Sequence, residues 1–432
     1  MAELTKKLKE WRRDLHQIPE LGWCEYQTTA YIYRVLKPLS FTLFIGDDVS
    51  DETKKMGVPE EEIDTLHMKR AKEAGTDSDL LERIAGNRTG VIATFDTGKA
   101  GKHLAYRFDI DALPIRESER EEHLPTREKF RSMYEGQMHA CGHDGHTAIG
   151  LGLAYLIDRY KDELTGSFTL IFQPAEEGVR GAKSIVEKGW LDHVDLFMTG
   201  HIMNQPLGTL VPGITSALAT TKLDVVFSGR SAHAGGNPEE GRNALLAAAQ
   251  ATVQLHAIPP HSRGATRVNV GTFTAGSGRN IVADYAKLQL ETRGETNEIN
   301  AYVAEKAKRI LEHTASAQEV DCTIDIVGEG ISAASNKEWQ PFAEVVLADS
   351  ERVGTVTDHY EPITGSEDAT FMMERVQENG GSATYMLYGG NLVEKHHHPL
   401  FDYDEEVLSV AVDSLWRLTK RANVDFEISP TV

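Results

Sequence analysis

Apolar residues recur along this chain with two periods, one helical and one extended. Between Leu8 and Leu15, and again from Tyr31 to Leu39, they return every three or four positions, which predicts two helices with the Pro19-Glu20-Leu21-Gly22 turn between them. Residues 47–85 are polar, rich in Glu, Asp and Lys, and contain Met56-Gly57-Val58-Pro59, the mark of an excursion outside the main sheet. Residues 90–95 and 102–108 then read as strands, 148–160 as a buried helix, 167–173 as a buried strand, 182–188 as a short helix and 195–201 as another strand. This alternation predicts an α/β fold with a mostly parallel sheet. Between about 221 and 328 the order becomes βαββαβ, the ferredoxin-like arrangement, inserted before the alternating pattern resumes. The boundaries expected are a discontinuous unit over 1–218 and 329–432, and an inserted unit over 219–328.

A chain of 432 residues exceeds one hydrophobic core, and 40% hydrophobic with 26% charged residues is the balance of a globular protein. The formal charge of −21 argues against nucleic acid or an anionic membrane as partner. No apolar run approaches the ~20 residues of a membrane span, and the first residues lack the apolar core of a secretory signal. A cytoplasmic protein is expected. Cys24, Cys141 and Cys322 are too scattered for a disulfide framework.

The densest chemistry is Met138-His139-Ala140-Cys141-Gly142-His143-Asp144-Gly145-His146. Thiolate and neutral imidazole are zinc- and manganese-type ligands, and alternate residues on a strand or loop can turn toward one cation. Gln173-Pro174-Ala175-Glu176-Glu177-Gly178 puts two carboxylates at the end of a predicted strand, where one can bind metal and the other take a proton from the attacking water. Asp109 and Asp111 also end a strand, the side on which open α/β sheets carry their sites. His201 ends a buried strand, and His396-His397-His398 precede Pro399 and Phe401-Asp402.

In this order, and with Trp11-Arg12-Arg13-Asp14-Leu15-His16 before them and Ser231-Ala232-His233-Ala234-Gly235 among them, these motifs resemble the amidohydrolase branch of the aminoacylase and glutamate carboxypeptidase superfamily of dinuclear metallopeptidases. The resemblance spans nearly the whole chain. It implies a zinc-peptidase-like catalytic domain with an inserted lid and dimerisation domain. It also implies two divalent cations, Mn or Zn, held by Cys141, His143, Glu177, His201 and His397, the last chosen by its distance from Pro399 and Phe401. Glu176 is then the general base, Asp109 a carboxylate orienting a ligand, and His233 a donor to the oxyanion in the other subunit's site. Asn280 and Arg293 match positions that grip the substrate carboxylate in glutamate-cleaving relatives.

Less generic runs, among them Gly276-Ser277-Gly278-Arg279-Asn280 and Gly365-Ser366-Glu367-Asp368-Ala369-Thr370, resemble the aminobenzoyl-glutamate hydrolase subgroup, although Ala283 stands where the broader family has proline. The implied activity is release of glutamate from p-aminobenzoyl-glutamate or a similar acyl-glutamate. The alternatives are another acyl group (hippurate, indole-acetyl or N-acetyl amino acids) and a non-catalytic metal-binding subunit. The implied partners are a small acyl-amino-acid and a second copy in a homodimer, or a related second subunit.

Overall fold

The computed structural model describes residues 2–215, 217–360 and 365–428. Its strands fall into two sheets. β1 (Thr42–Phe44), β2 (Val91–Asp96), β3 (His103–Asp109), β4 (Ser167–Gln173), β5 (Leu196–Met203) and β6 (Thr209–Val211) come first. Four strands of the second sheet follow: β7 (Ala219–Ser228), β8 (Thr266–Ala275), β9 (Tyr285–Gly294) and β10 (Asp321–Gly330). The chain then returns to the first sheet with β11 (Thr355–Val356) and β12 (Ser382–Gly389).

The larger sheet has the order β1-β2-β4-β3-β5-β12-β6-β11, and its central strands β4, β3, β5 and β12 are parallel. Antiparallel pairing enters where β2 meets β4, β1 meets β2 and β6 meets β12. Those outer strands are partly freed from the helical crossovers that parallel neighbours require, so the mostly parallel expectation holds at the centre. Side-chain alternation sorts the two faces. Leu104, Tyr106 and Phe108 of β3 join Phe168, Leu170 and Phe172 of β4 beneath the helices Ala2–Gln17, His143–Arg159 and Glu406–Asp425. Ala105 and Ile171 point the other way, toward the helices Ala182–Glu187 and Ala369–Glu378.

The smaller sheet is antiparallel, ordered β10-β7-β9-β8, and two helices, Ala244–His256 and Asn297–Ala317, cover one face around Leu223, Val225, Phe227 and Leu288. This is the ferredoxin-like order expected from the sequence. Its root is sewn to the body: Glu329 N–H donates to Val179 C=O at 2.9 Å, and Lys183 pairs with Glu329 at 2.6 Å. The excursion holds the helices Glu61–Glu73 and Ser78–Ile84 and lies outside both sheets. Among the described residues no helix is long and apolar enough to cross a membrane.

Candidate metal centre

The parallel strands deliver their C-terminal ends to one place, and the turns beyond them carry the ligand-type residues. Asp109 closes β3, the Glu176-Glu177 loop follows β4, and His201 lies near the end of β5. Gly142, at φ +91, turns the chain in the left-handed region between Cys141 and His143. His143 is therefore the first residue of a helix rather than part of the extended strand or loop that alternate ligands suggest. The apolar pattern becomes clear only after Ala148, so the polar first turn carries no periodic signal.

The loop 174–179 is bent. Ala175 (φ 54), Gly178 (φ 90) and Val179 (φ 60) all lie at positive φ, a conformation that costs the non-glycine residues about 1–3 kcal/mol each and needs support. Two carboxylates supply it. Glu25 Oε1 accepts the Ala175 N–H at 2.8 Å, and Asp111 accepts those of Glu176 and Glu177 at 3.1 and 2.9 Å. Asp111 also faces His143, whose Nδ1 lies 2.9 Å from the Asp111 carbonyl and 3.3 Å from its Oδ1. A proton on Nδ1 leaves His143 Nε2 as the free electron pair.

Cys141 belongs to two groups of potential metal donors at once. One is Cys141, His143 and His201; the other is Cys141, Glu177 and His397, with His143, Glu176 and Glu177 forming a third. Cys141 Sγ lies 3.4 Å from His201 Nε2, and His397 Nε2 lies 3.6 Å from Glu177 Oε1. His201 Nδ1 is turned toward the Ile202 carbonyl at 2.8 Å, so its Nε2 faces the thiol. Of the histidine triplet, His397 joins the donor cluster, at φ +67 with its N–H on the Ala140 carbonyl, whereas His396 Nε2 bonds the Ile202 carbonyl at 3.0 Å.

The donors fit divalent cations. His143 Nε2 and Glu177 Oε1 are buried without any hydrogen-bond partner, an arrangement that is costly unless a cation meets them. Burial pushes the Cys141 thiol up, as do the carboxylates of Glu177 and Glu176. Glu176 and Glu177 are driven apart. Burial and the nearby Glu367, Glu177 and Asp368 raise Glu176, while burial opposes and His397 and His143 outweigh it to lower Glu177.

Asp109 faces two histidines, His146 and the expected ligand His143, and forms a further donor group with them. Its Oδ1 is 2.6 Å from His146 Nδ1, and its Oδ2 only 3.8 Å from His143 Nε2. His146 Nε2 accepts the Ile202 N–H at 3.0 Å, so His146 braces β3 against β5. Asp111, His146 and Glu25 are not legible as braces in the sequence because their partners include backbone groups distant in the chain. Arg107, buried among the side chains of Asp109, Glu367, Asp368 and Gln173, and Arg12, which gathers Asp144, Asp402 and Glu405, are hidden in the sequence as well, because most of these partners lie far along the chain.

His233, Asn280 and Arg293 stand apart from this cluster. His233 pairs with Ile281 and Ala234 N–H bonds Asn280 C=O at 3.0 Å, so these two exposed residues share the outer tip of the small sheet. Arg293 pairs across β7 with Thr220, at the root, and its Nε bonds Glu291 at 2.9 Å. Nine residues of strand, about 30 Å, separate root from tip. A cavity of about 640 Å³ also lies elsewhere, an open cleft beside Tyr31, Tyr33, Arg34 and Arg83, and among the described residues no donor set converges in it.

Residues 105–421 match the model of peptidase family M20/M25/M40. The chain belongs to that family. It is 46% identical over 416 residues to an indole-3-acetyl-aspartic acid hydrolase of Enterobacter agglomerans, covering 96% of this chain and 95% of the relative. It is 44% identical over 415 residues to one subunit of the p-aminobenzoyl-glutamate hydrolase of Escherichia coli (strain K12), with the same coverage. Its fold matches the crystal structure of an aminobenzoyl-glutamate utilization protein from Klebsiella pneumoniae with a TM-score of 0.84 at 41% identity, over 100% of this chain and 98% of that one. A dinuclear metal-binding M20 peptidase of Bacillus subtilis matches with a TM-score of 0.68 at 26% identity, over 99% and 100% of the two chains. This M20 chain is thus a metal-dependent hydrolase of amide bonds with a mostly parallel catalytic sheet and a separate antiparallel one.

Proposed function

We propose that this M20 enzyme hydrolyses the amide of N-acylated acidic amino acids, p-aminobenzoyl-glutamate or a similar acyl-glutamate, and releases the free amino acid. The observation that carries the chemistry is Cys141 standing in two donor groups, with Glu176 beside them and outside both of the ligand sets. Cys141, His143, Glu177, His201 and His397 would hold two divalent cations, Mn or Zn. When bound, such cations polarise the scissile carbonyl and acidify the attacking water.

The chain's own groups do the rest. Glu176, raised by burial and by neighbouring carboxylates, takes the proton of the water and returns it to the leaving amine. Asp111 and Asp109 fix the imidazoles around it.

His233 and Asn280 at the tip and Arg293 at the root cannot meet one substrate within a single chain. A second copy reconciles them: His233 and Asn280 reach the partner's site, where His233 donates to the oxyanion, while Arg293 serves its own. Exposed Leu246, Val253 and Phe273 on the smaller unit, taken as residues 219–328, give a pair an apolar face to bury. Three unpaired cysteines suit a cytoplasmic setting.

Purified, Mn-supplemented enzyme should release glutamate from p-aminobenzoyl-glutamate faster than it cleaves hippurate or an N-acetyl neutral amino acid. The 46% identity to the indole-acetyl-aspartate hydrolase favours a second acyl group, so that conjugate joins the panel. Glu176→Gln should remove turnover by about 10²–10⁴-fold while metal stays bound. Wild-type rates in that variant would refute the mechanism.

A further inference from the structure

Resting on the reading above, we propose that Arg279 recognises the second, side-chain carboxylate of an acidic amino-acid substrate. A glutamate or aspartate leaving group carries two carboxylates, and a guanidinium matches one carboxylate at a time in the bidentate geometry. Arg293, at the root of the small sheet, is already shared with Glu291 and is assigned to one of them. The other requires a cation elsewhere.

Arg279 and Asn280 are the two central residues of a turn closed by the Ile281 N–H on the Gly278 carbonyl at 3.3 Å. That turn is pinned to the His233 segment on both sides, by Ala234 N–H to Asn280 C=O at 3.0 Å and Val282 N–H to Ala232 C=O at 2.9 Å. One braced corner therefore carries His233, Arg279 and Asn280, and wherever His233 is delivered Arg279 goes with it.

Arg279 is exposed, and no carboxylate pairs with it among the described residues. Its cationic neighbours are committed: Arg242 pairs with Glu319 at 2.7 Å, and Arg230 donates to the Glu240 carbonyl. In a chain of net charge −21, a guanidinium left without a carboxylate at the tip is available to a ligand. The two carboxylates of one acidic amino acid are separated by a short carbon chain, a span that adjacent residues of one turn cover. Asn280 and Arg279 thus sort substrates by the charge of the side chain. Lys395, exposed beside His396 and His397, is the competing cation on the body side.

The test compares p-aminobenzoyl-glutamate with p-aminobenzoyl-glutamine, which differ only in that carboxylate. Wild-type enzyme without a preference for glutamate would refute the substrate reading itself, before any variant is made. Given the preference, Arg279→Met should reduce it at least about ten-fold through KM, leave the glutamine substrate within about two-fold, and be partly rescued by Arg279→Lys. An equal fall on both substrates, no change on either, or loss of preference in Lys395→Met instead would overturn the proposal. Mixing Arg279→Met subunits with Glu176→Gln subunits separates delivery between copies from delivery within one. Acidic preference should return in the mixture, because the chain with intact Glu176 receives Arg279 from its partner; mixtures that stay non-selective would overturn delivery in trans.

Discussion

Asp111 Oδ2 accepts the Glu177 backbone N–H at 2.9 Å, while the Asp111 carbonyl lies 2.9 Å from His143 Nδ1. One residue thus aims His143 and holds the strained loop that carries Glu176 and Glu177, the base and a ligand in the function proposed above. Supporting groups of this kind commonly contribute about 10–100-fold in metal affinity. Asp111→Ala should weaken metal binding by about that factor, measured by competition with a chelating dye, with the far-ultraviolet circular dichroism unchanged. Unaltered affinity would show that the loop keeps its shape without the carboxylate.

His16 bridges two carboxylates, Asp144 at 2.8 Å and Glu117 at 2.9 Å, in a fully buried setting. Burial opposes its charge, but Glu117 and Asp144 outweigh it and raise the imidazole to about 9. A folded value above the unfolded 6.5 means the stabilisation is fully present below pH 6.5 and lost as pH rises through 9. The metal-free protein should therefore lose on the order of 3 kcal/mol from this group between those limits, read from urea unfolding at each pH. His16→Gln should flatten the curve there. A decline of equal size in the variant would assign the loss to other groups.

Gly328 closes the root of the small sheet against the body, and a Cβ there would stand 2.1 Å from the Gly178 carbonyl. Gly328→Ala must push apart the loop that carries Glu177 and the strand that anchors the smaller sheet. The expected cost is about 1–3 kcal/mol in thermal unfolding, with a drop in kcat/KM. Gly354, where a Cβ meets nothing within 4 Å, is the control and should tolerate alanine. Equal behaviour of the two variants would remove the junction from the account.

The motif residues were legible because ligand chemistry needs particular side chains in short runs. The run from His139 to His146 stands out in a linear reading, and Glu176-Glu177 gains its weight only beside that run. The histidine triplet alone left His396, His397 and His398 open; the family resemblance implied His397 by register, and His397 is the one that joins the Cys141 and Glu177 group. The braces were not legible. His146 looks like one more imidazole in the ligand run until Asp109 and the Ile202 N–H are seen on its two nitrogens. β1, three residues long, offers too few positions for a period to register.

By itself the sequence determined the alternation of strands and helices in the central sheet, the inserted βαββαβ unit and which runs are rich in ligand-type side chains, because periodicity and side-chain chemistry are local properties of a chain. Tertiary structure decided which donors face one another, that Cys141 stands in two groups, that Asp111 lies at Nδ1 of His143 and Asp109 on its Nε2 side, and that His233 and Arg293 occupy opposite ends of one sheet. Those outcomes depend on distances between segments up to hundreds of residues apart, and strand register and helix packing set such distances where no local spacing can.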